Sequence, residues 1–191
     1  MLYKLSWAIN TQFLRLLIRR IGLVSYIGKP ILIYGGRGIS IGNKVRIFPG
    51  LRAETHHGGK IVIEEDVSIG QNFHIISSGE NLTIASHTTI SGNVFITNVD
   101  HDYQDIAVHI LQQKYLVKTT RIGENCFIGY GAVLQAGTIL GKQCIVGSNA
   151  VLRGTFPDYC VIAGAPAKIL KRYNPETLVW EKTDSKGNFT K

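Results

Sequence analysis

The chain has 191 residues, of which 45% are hydrophobic and 18% charged, and this balance excludes a disordered polymer. The net charge of +8 favours an anionic partner: nucleic acid, a phosphorylated cofactor or an acidic membrane face. No uncharged apolar stretch reaches the ~18 residues of a membrane span, because Lys4, Arg15, Arg19 and Arg20 cut the segment from Leu2 to Val24.

Glycine (21) is abundant and proline (5) scarce, which suggests short strands with frequent corners. Three cysteines without a CxxC spacing suit a reducing compartment, so the chain reads as cytoplasmic, with peripheral contact at the inner membrane surface as a further option. Arg15, Arg19 and Arg20 fall where a signal peptide would be apolar.

Residues 1–30 form the first predicted segment. Residues 2–24 read as an amphipathic helix, with Leu2, Leu5, Ile9, Phe13, Leu16 and Leu17 on one stripe. Two readings stand. The helix caps the open end of the domain that follows, or it lies on a membrane with Lys4, Arg15, Arg19 and Arg20 towards anionic lipid. The cap is favoured.

Residues 31–170 form the main predicted domain. From residue 122 the chain repeats at six: Ile122, Ile128, Leu134, Leu140, Val146 and Leu152. The same hexads occur earlier at Ile41 and Ile47, at Ile63, Ile69 and Ile75, and at Ile84, Ile90 and Ile96. A helix repeats near 3.6 residues and a strand at 2, so period six means a strand, a corner and another strand. Grouped in threes, the hexads give three-sided coils beginning at 41, 63, 84, 122 and 140. Such coils stack at the strand spacing of ~4.8 Å with the aliphatics in inward columns. One insertion of twenty residues interrupts the regularity and makes a protruding loop over about 98–120. Cys126 and Cys144, 18 apart, should stack as reduced, buried thiols. Residues 171–191 read as a short docking segment or a loose tail.

The loop opens with Asp100-His101-Asp102-Tyr103. A histidine between carboxylates is a candidate general base, since nearby negative charge stabilises its protonated form. His74 is a second candidate that could reach a neighbouring chain's site. His87, His56 and His57 lie at corners and read as solvated, and His109 lies inside the insertion. No histidine set has the spacing of a three-ligand zinc site, so no metal is expected. No nucleic-acid-binding signature is present, and none is expected as a partner.

The six unbroken hexads, together with Ala163-Gly164-Ala165-Pro166-Ala167-Lys168, resemble the hexapeptide-repeat acyltransferases over about Ile39 to Ile169. The resemblance implies an all-β fold, a left-handed parallel β-helix of five or six coils, and it is nearest to the maltose/galactoside and polysaccharide O-acetyltransferases. It further implies acetyl transfer from acetyl-CoA to a sugar hydroxyl in O-antigen or exopolysaccharide synthesis. His101 would be the base and the active sites would lie between subunits of a homotrimer. By the same resemblance, acetyl-CoA would meet Gly129, Tyr130, Gly147, Ser148, Ala165, Pro166, Lys168 and Lys171. Asn72, His74, Asp100, Asp102 and Tyr103 would meet the acceptor. Some relatives place an Asp from the N-terminal segment in the acceptor site; residues 1–30 hold no Asp or Glu, so that partner is missing or comes from elsewhere, with Glu54 and Glu80 as candidates. N-acetylation of an amino sugar or antibiotic, and a non-catalytic scaffold, are the alternatives.

Overall fold

A computed structural model describes residues 2–190, with side chains from residue 5 onwards. The strands follow the hexad arithmetic. Each coil contributes one short strand to each of three faces, and every strand bonds to its counterpart in the next coil. The result is three sheets of seven, nine and six strands, parallel throughout the solenoid proper. The first column runs Ile21, Ile41, Ile63, Ile84 and Ile122. The second runs Ile27, Ile47, Ile69, Ile90, Ile128, Val146 and Ile162. The third runs Ile33, Ala53, Ile75, Ile96, Leu134 and Leu152. Apart from Ile33, which is partly buried, these side chains are buried in one continuous core. No coil buries its inner face alone, so the stack is the folding unit.

Corners are made by left-handed residues. Asn72 (φ 54°), Asn93 (φ 58°), Gly131 (φ 69°) and Asn149 (φ 55°) occupy one corner in successive coils, where Gly and Asn tolerate positive φ better than most residues. Where coils touch, the glycines are steric: a Cβ at Gly22 would lie 2.4 Å from the backbone of Gly42.

The N-terminus departs from expectation in two ways. The helix α1 (Leu2–Leu17) ends well before residue 24, and Arg20–Ile21 is already the first strand of a coil at 21, 27 and 33. The solenoid therefore has about six coils, one more than the five starting points read from the sequence. The pair Ile21-Gly22 repeats Ile41-Gly42, and the close approach of the two glycines fixes that register. Second, α1 does cap the open end, but not with the expected stripe. Thr11, Leu14 and Ile18 are the buried side. An end coil has backbone groups with no neighbouring coil to bond. The helix meets them with polar side chains: Asn10 Nδ2 donates to Ile27 O at 3.0 Å, and Ile27 N donates to Thr11 Oγ1 at 2.8 Å. Trp7 packs edge-on to Phe48 at 5.0 Å. The stripe residues Leu5, Ile9, Phe13, Leu16 and Leu17 face outwards. The expected contributions of Leu2 and Lys4 to the stripe and the basic face lie outside the described side chains.

At the other end, residues 167–182 are not loose. Ala167–Asn174 pairs antiparallel with Cys160–Gly164 and then with Val179–Lys182, and Ile169 closes the core. The insertion is an arm: Val99–His101 pairs antiparallel with Tyr115–Val117. Its root is pinned by Asn98, fully buried, whose Oδ1 accepts from Ser78 N at 2.8 Å, and by Thr120 Oγ1 donating to Thr97 O at 3.1 Å. No described helix is long and apolar enough to cross a membrane.

Candidate active site

His101 ends the outgoing strand of the arm and sits opposite Tyr115, whose ring meets the imidazole edge-on with centroids 4.9 Å apart. Both line a cavity of about 460 Å³ between the arm and the third face of the solenoid. The apolar part of its wall is Ile76, Phe95, Val99 and Val133; the polar part is Glu54, His56, Ser78, Thr97, Asp100 and Gln135. A concave, mostly apolar site with a few convergent polar groups at this volume suits a small-molecule acceptor.

The two carboxylates flanking His101 are engaged away from the imidazole. Asp100 Oδ2 pairs with Arg153 Nη2 at 2.8 Å, and the same guanidinium donates from Nε to Gln135 Oε1 at 3.0 Å. This ties the strand carrying His101 to two successive coils. Asp102 Oδ1 accepts from Tyr103 N at 2.8 Å and Gln104 N at 3.2 Å, closing a turn. A short polar side chain that bonds the backbone just after it is the usual device for leaving a strand. Tyr103 stands exposed on the arm, away from the cavity.

The acid in the cavity is Glu54, buried on the third face. Its Oε1 accepts from Arg52 Nε at 2.6 Å and its Oε2 lies 3.2 Å from His56 Nε2. Burial pushes its carboxyl up, but the bonds and charges of Arg52 and His56 outweigh this and hold it below its ordinary value, as a carboxylate. His56, read from the sequence as a solvated corner residue, instead ends the strand Arg52–His56, lines the cavity and stacks on Tyr34 at 4.9 Å. His74 packs on Phe95 with centroids at 4.8 Å, and its Nε2 lies 3.5 Å from Glu54 Oε1. Burial, then the neighbouring Arg52 charge, pushes its pKa down against the pull of Glu54, so it is held neutral.

Asn72 is a corner residue: its Nδ2 donates to Asn93 Oδ1 at 3.0 Å, and Asn93 in turn donates to the Tyr130 hydroxyl. It does not line the His101 cavity. His109 caps a single 3₁₀ turn on the arm, with Nδ1 accepting from Leu111 N at 3.2 Å. The donor candidates Gly129, Tyr130, Gly147 and Ser148 follow one another along the corner between the second and third faces. Ala165 and Pro166 form the turn beyond them, and Lys168 and Lys171 are exposed on the closing strand. None of these lines the His101 cavity. Gly129 and Gly147 are also demanded by packing, since a Cβ at Gly129 would lie 2.6 Å from Ser148 N and one at Gly147 2.9 Å from Ala163 Cβ. Among the described residues no cluster of three His, Cys, Asp or Glu could hold a metal ion.

The family model for the bacterial transferase hexapeptide (six repeats) matches residues 119–154. Over 164 residues the chain is 34% identical to the Escherichia coli protein named "Putative lipopolysaccharide biosynthesis O-acetyl transferase WbbJ", covering 80% of this chain and 81% of that one. The chain belongs to the hexapeptide-repeat acyltransferases. It is 34% identical to a polysialic acid O-acetyltransferase of Escherichia coli over 66% of this chain and 40% of the relative. Solved folds agree. AntD, an N-acyltransferase from Bacillus cereus in complex with dTDP and 3-hydroxybutyryl-CoA, superposes with a TM-score of 0.70 at 14% identity, covering 88% of this chain and 90% of that chain. A galactoside acetyltransferase in complex with coenzyme A superposes with a TM-score of 0.60 at 16% identity, covering 95% of this chain and 76% of that one. The solenoid is thus the left-handed parallel β-helix of this family, and the protein is an acetyltransferase by class.

In this acyltransferase the sequence pointed to His101 through its place at the loop mouth, but His56, Tyr115, Gln135 and Arg153 were missed. A usable signal existed. Glu54, Ile76, Thr97, Gln135 and Arg153 each directly follow the third inward aliphatic of their coil, so one outward column carries five consecutive members of the site.

Proposed function

We propose that this protein moves an acetyl group from acetyl-CoA to a sugar hydroxyl in surface-polysaccharide synthesis, O-antigen or exopolysaccharide. The observation that carries the reading is the cavity in which His101, fixed on the arm through Asp100 and Arg153, faces the Glu54 carboxylate, the Gln135 amide and the Ser78 and Thr97 hydroxyls. Those polar groups suit a ligand rich in hydroxyls. The names of the relatives, an O-acetyl transferase of lipopolysaccharide biosynthesis and a polysialic acid O-acetyltransferase, support the choice of acceptor.

Neutral His101 takes the proton from the acceptor hydroxyl. The alkoxide oxygen attacks the thioester carbonyl, the C–S bond breaks as the C–O bond forms, and the imidazolium returns the proton to the departing CoA thiolate. Glu54, kept ionised by Arg52 and His56, accepts hydrogen bonds from neighbouring sugar hydroxyls and orients the ring. The basic Lys168 and Lys171 meet the phosphates of the donor. None of the donor candidates of the same chain lines the His101 cavity, so in this reading a neighbouring subunit of a homotrimer supplies the donor side.

N-acylation of an amino sugar is the second reading, supported by the AntD fold in complex with dTDP and an acyl-CoA. A thiol-release assay with acetyl-CoA, run on hydroxyl and amino-sugar acceptors, separates the two. His101→Ala should lower kcat by about 10² to 10⁴-fold, the usual contribution of a positioned general base, while the melting temperature stays put. Full activity of a folded His101→Ala protein would overturn the assignment.

A further inference from the structure

The outward stripe of α1 is left uncovered by the described residues. Leu5, Ile9, Phe13, Leu16 and Leu17 are between 53% and 72% exposed, and at the adjoining end of the solenoid Leu23 and Val24 are 74% and 80% exposed. Capping does not explain these residues, because the opposite side of the helix does the capping through Asn10, Thr11, Leu14 and Ile18. Contiguous exposed apolar surface on a soluble chain marks a contact site.

Charge identifies the occupant. Residues 1–53 carry nine Lys and Arg and no Asp or Glu, whereas the remaining 138 residues carry twelve bases and thirteen acids. Arg46 and Arg52 pair with Asp66 and Glu54, and the other seven bases still leave the helix and first coils with an excess of positive charge. A two-fold contact of this face with itself would bring like charges together, and a neutral apolar partner leaves so one-sided a charge unmatched. An anionic lipid surface satisfies both features: apolar side chains enter the acyl boundary while Arg and Lys at the rim meet phosphate headgroups. Arg19 and Arg20, exposed just after the helix, stand at that rim. Arg15 is partly committed, its guanidinium donating to Gly22 O at 3.2 Å.

We infer that the exposed face of α1, with the first coil corner, docks the protein on an anionic membrane surface. The helix lies in the plane of the interface and the solenoid stands away from it. The inference is independent of the acetyl-transfer reading.

The test is cosedimentation of the full-length protein with vesicles of phosphatidylcholine alone and of phosphatidylcholine with phosphatidylglycerol. Wild type should pellet with the mixed vesicles only, and salt should release it. Arg19→Gln with Arg20→Gln should weaken partitioning by about thirtyfold, on the usual contribution of a basic residue at such a surface. Phe13→Glu with Leu16→Glu should abolish pelleting, and both variants should keep the wild-type circular dichroism and solution mass. If the folded wild type stays in the supernatant, or Phe13→Glu with Leu16→Glu binds like wild type, the inference fails. It also fails if these variants change only the solution mass, since the face would then join copies of the chain.

Discussion

Removing the guanidinium of Arg153 separates positioning from stability at the candidate site. The ion pair to Asp100 is 2.8 Å long, but its side chains are 48% and 28% exposed. A pair so open to solvent contributes about 1 kcal/mol or less to folding. In a chain of this size that amounts to roughly 2–4 °C in melting temperature at most. The catalytic effect should be far larger. Arg153 joins Asp100 on the strand that ends in His101 to Gln135 on the coil below. Without it, His101 is held by the arm's own hairpin, by the Asn98 and Thr120 contacts at the root of the arm and by its edge contact with Tyr115. Misplacing a reacting group by about 1 Å can cost 10²-fold. Arg153→Ala should therefore lower kcat by about 10- to 100-fold, with little change in the KM for acetyl-CoA, whose proposed contacts lie on a different corner. Asp100→Asn should do the same, and the double variant should be no slower than either single one, because both remove one clamp. Arg153→Lys should rescue in part, restoring the charge but not the forked contact to both partners. Steady-state kinetics of the four proteins, beside their melting curves, give the answer. Unchanged kcat in Arg153→Ala, or losses that multiply in the double variant, would refute the clamp.

Two further outcomes follow from buried groups. His74 binds its proton more weakly in the folded chain than in the unfolded one, whose ordinary value is 6.5. Below that pH the unfolded chain takes up more protons, so folding stability should fall as pH drops from about 7 towards 5. His74→Gln should flatten that part of the curve in urea titrations across the range; an unchanged slope would show that His74 titrates normally. The thiols of Cys126, Cys144 and Cys160 stack inside the solenoid, all buried and unbridged, with Cys144 N donating to Cys126 Sγ at 3.4 Å. They should resist thiol reagents in the native protein and react together on unfolding; labelling of one alone under native conditions would contradict the packing.

The fold was legible because a coil repeats both its sterics and its chemistry. An aliphatic must fill each inward column, and the residue beside it must turn, so the period survives even where insertions shift the count. The first coil is hard to read in the sequence for a local reason. Its opening Ile21 follows Ile18 at helical spacing, and only the glycine after it, pressed against Gly42, marks it as a coil position. The buried face of α1 is hard to read because apolarity does not mark burial there. At the end of a solenoid the surface to be covered is a row of unpaired amides and carbonyls, so Asn10 and Thr11 turn inwards and leucines are left outside.

The same logic explains what was and was not readable at the site. His101 is conspicuous because it interrupts the repeat. Glu54, Gln135 and Arg153 are inconspicuous because they obey it: each occupies the ordinary outward position after an inward aliphatic, separated from the next by a whole coil or more. Sequence distance hides their proximity, yet parallel pairing restores it, with Glu54 beside Ile76 and Ile76 beside Thr97 in register. A coil rise of ~4.8 Å brings residues about twenty positions apart within contact range. In this architecture the functional unit is a column rather than a segment. An acid, a hydroxyl, an amide and a guanidinium that look scattered over a hundred residues form one continuous strip. The arm needs only to lay His101 across it.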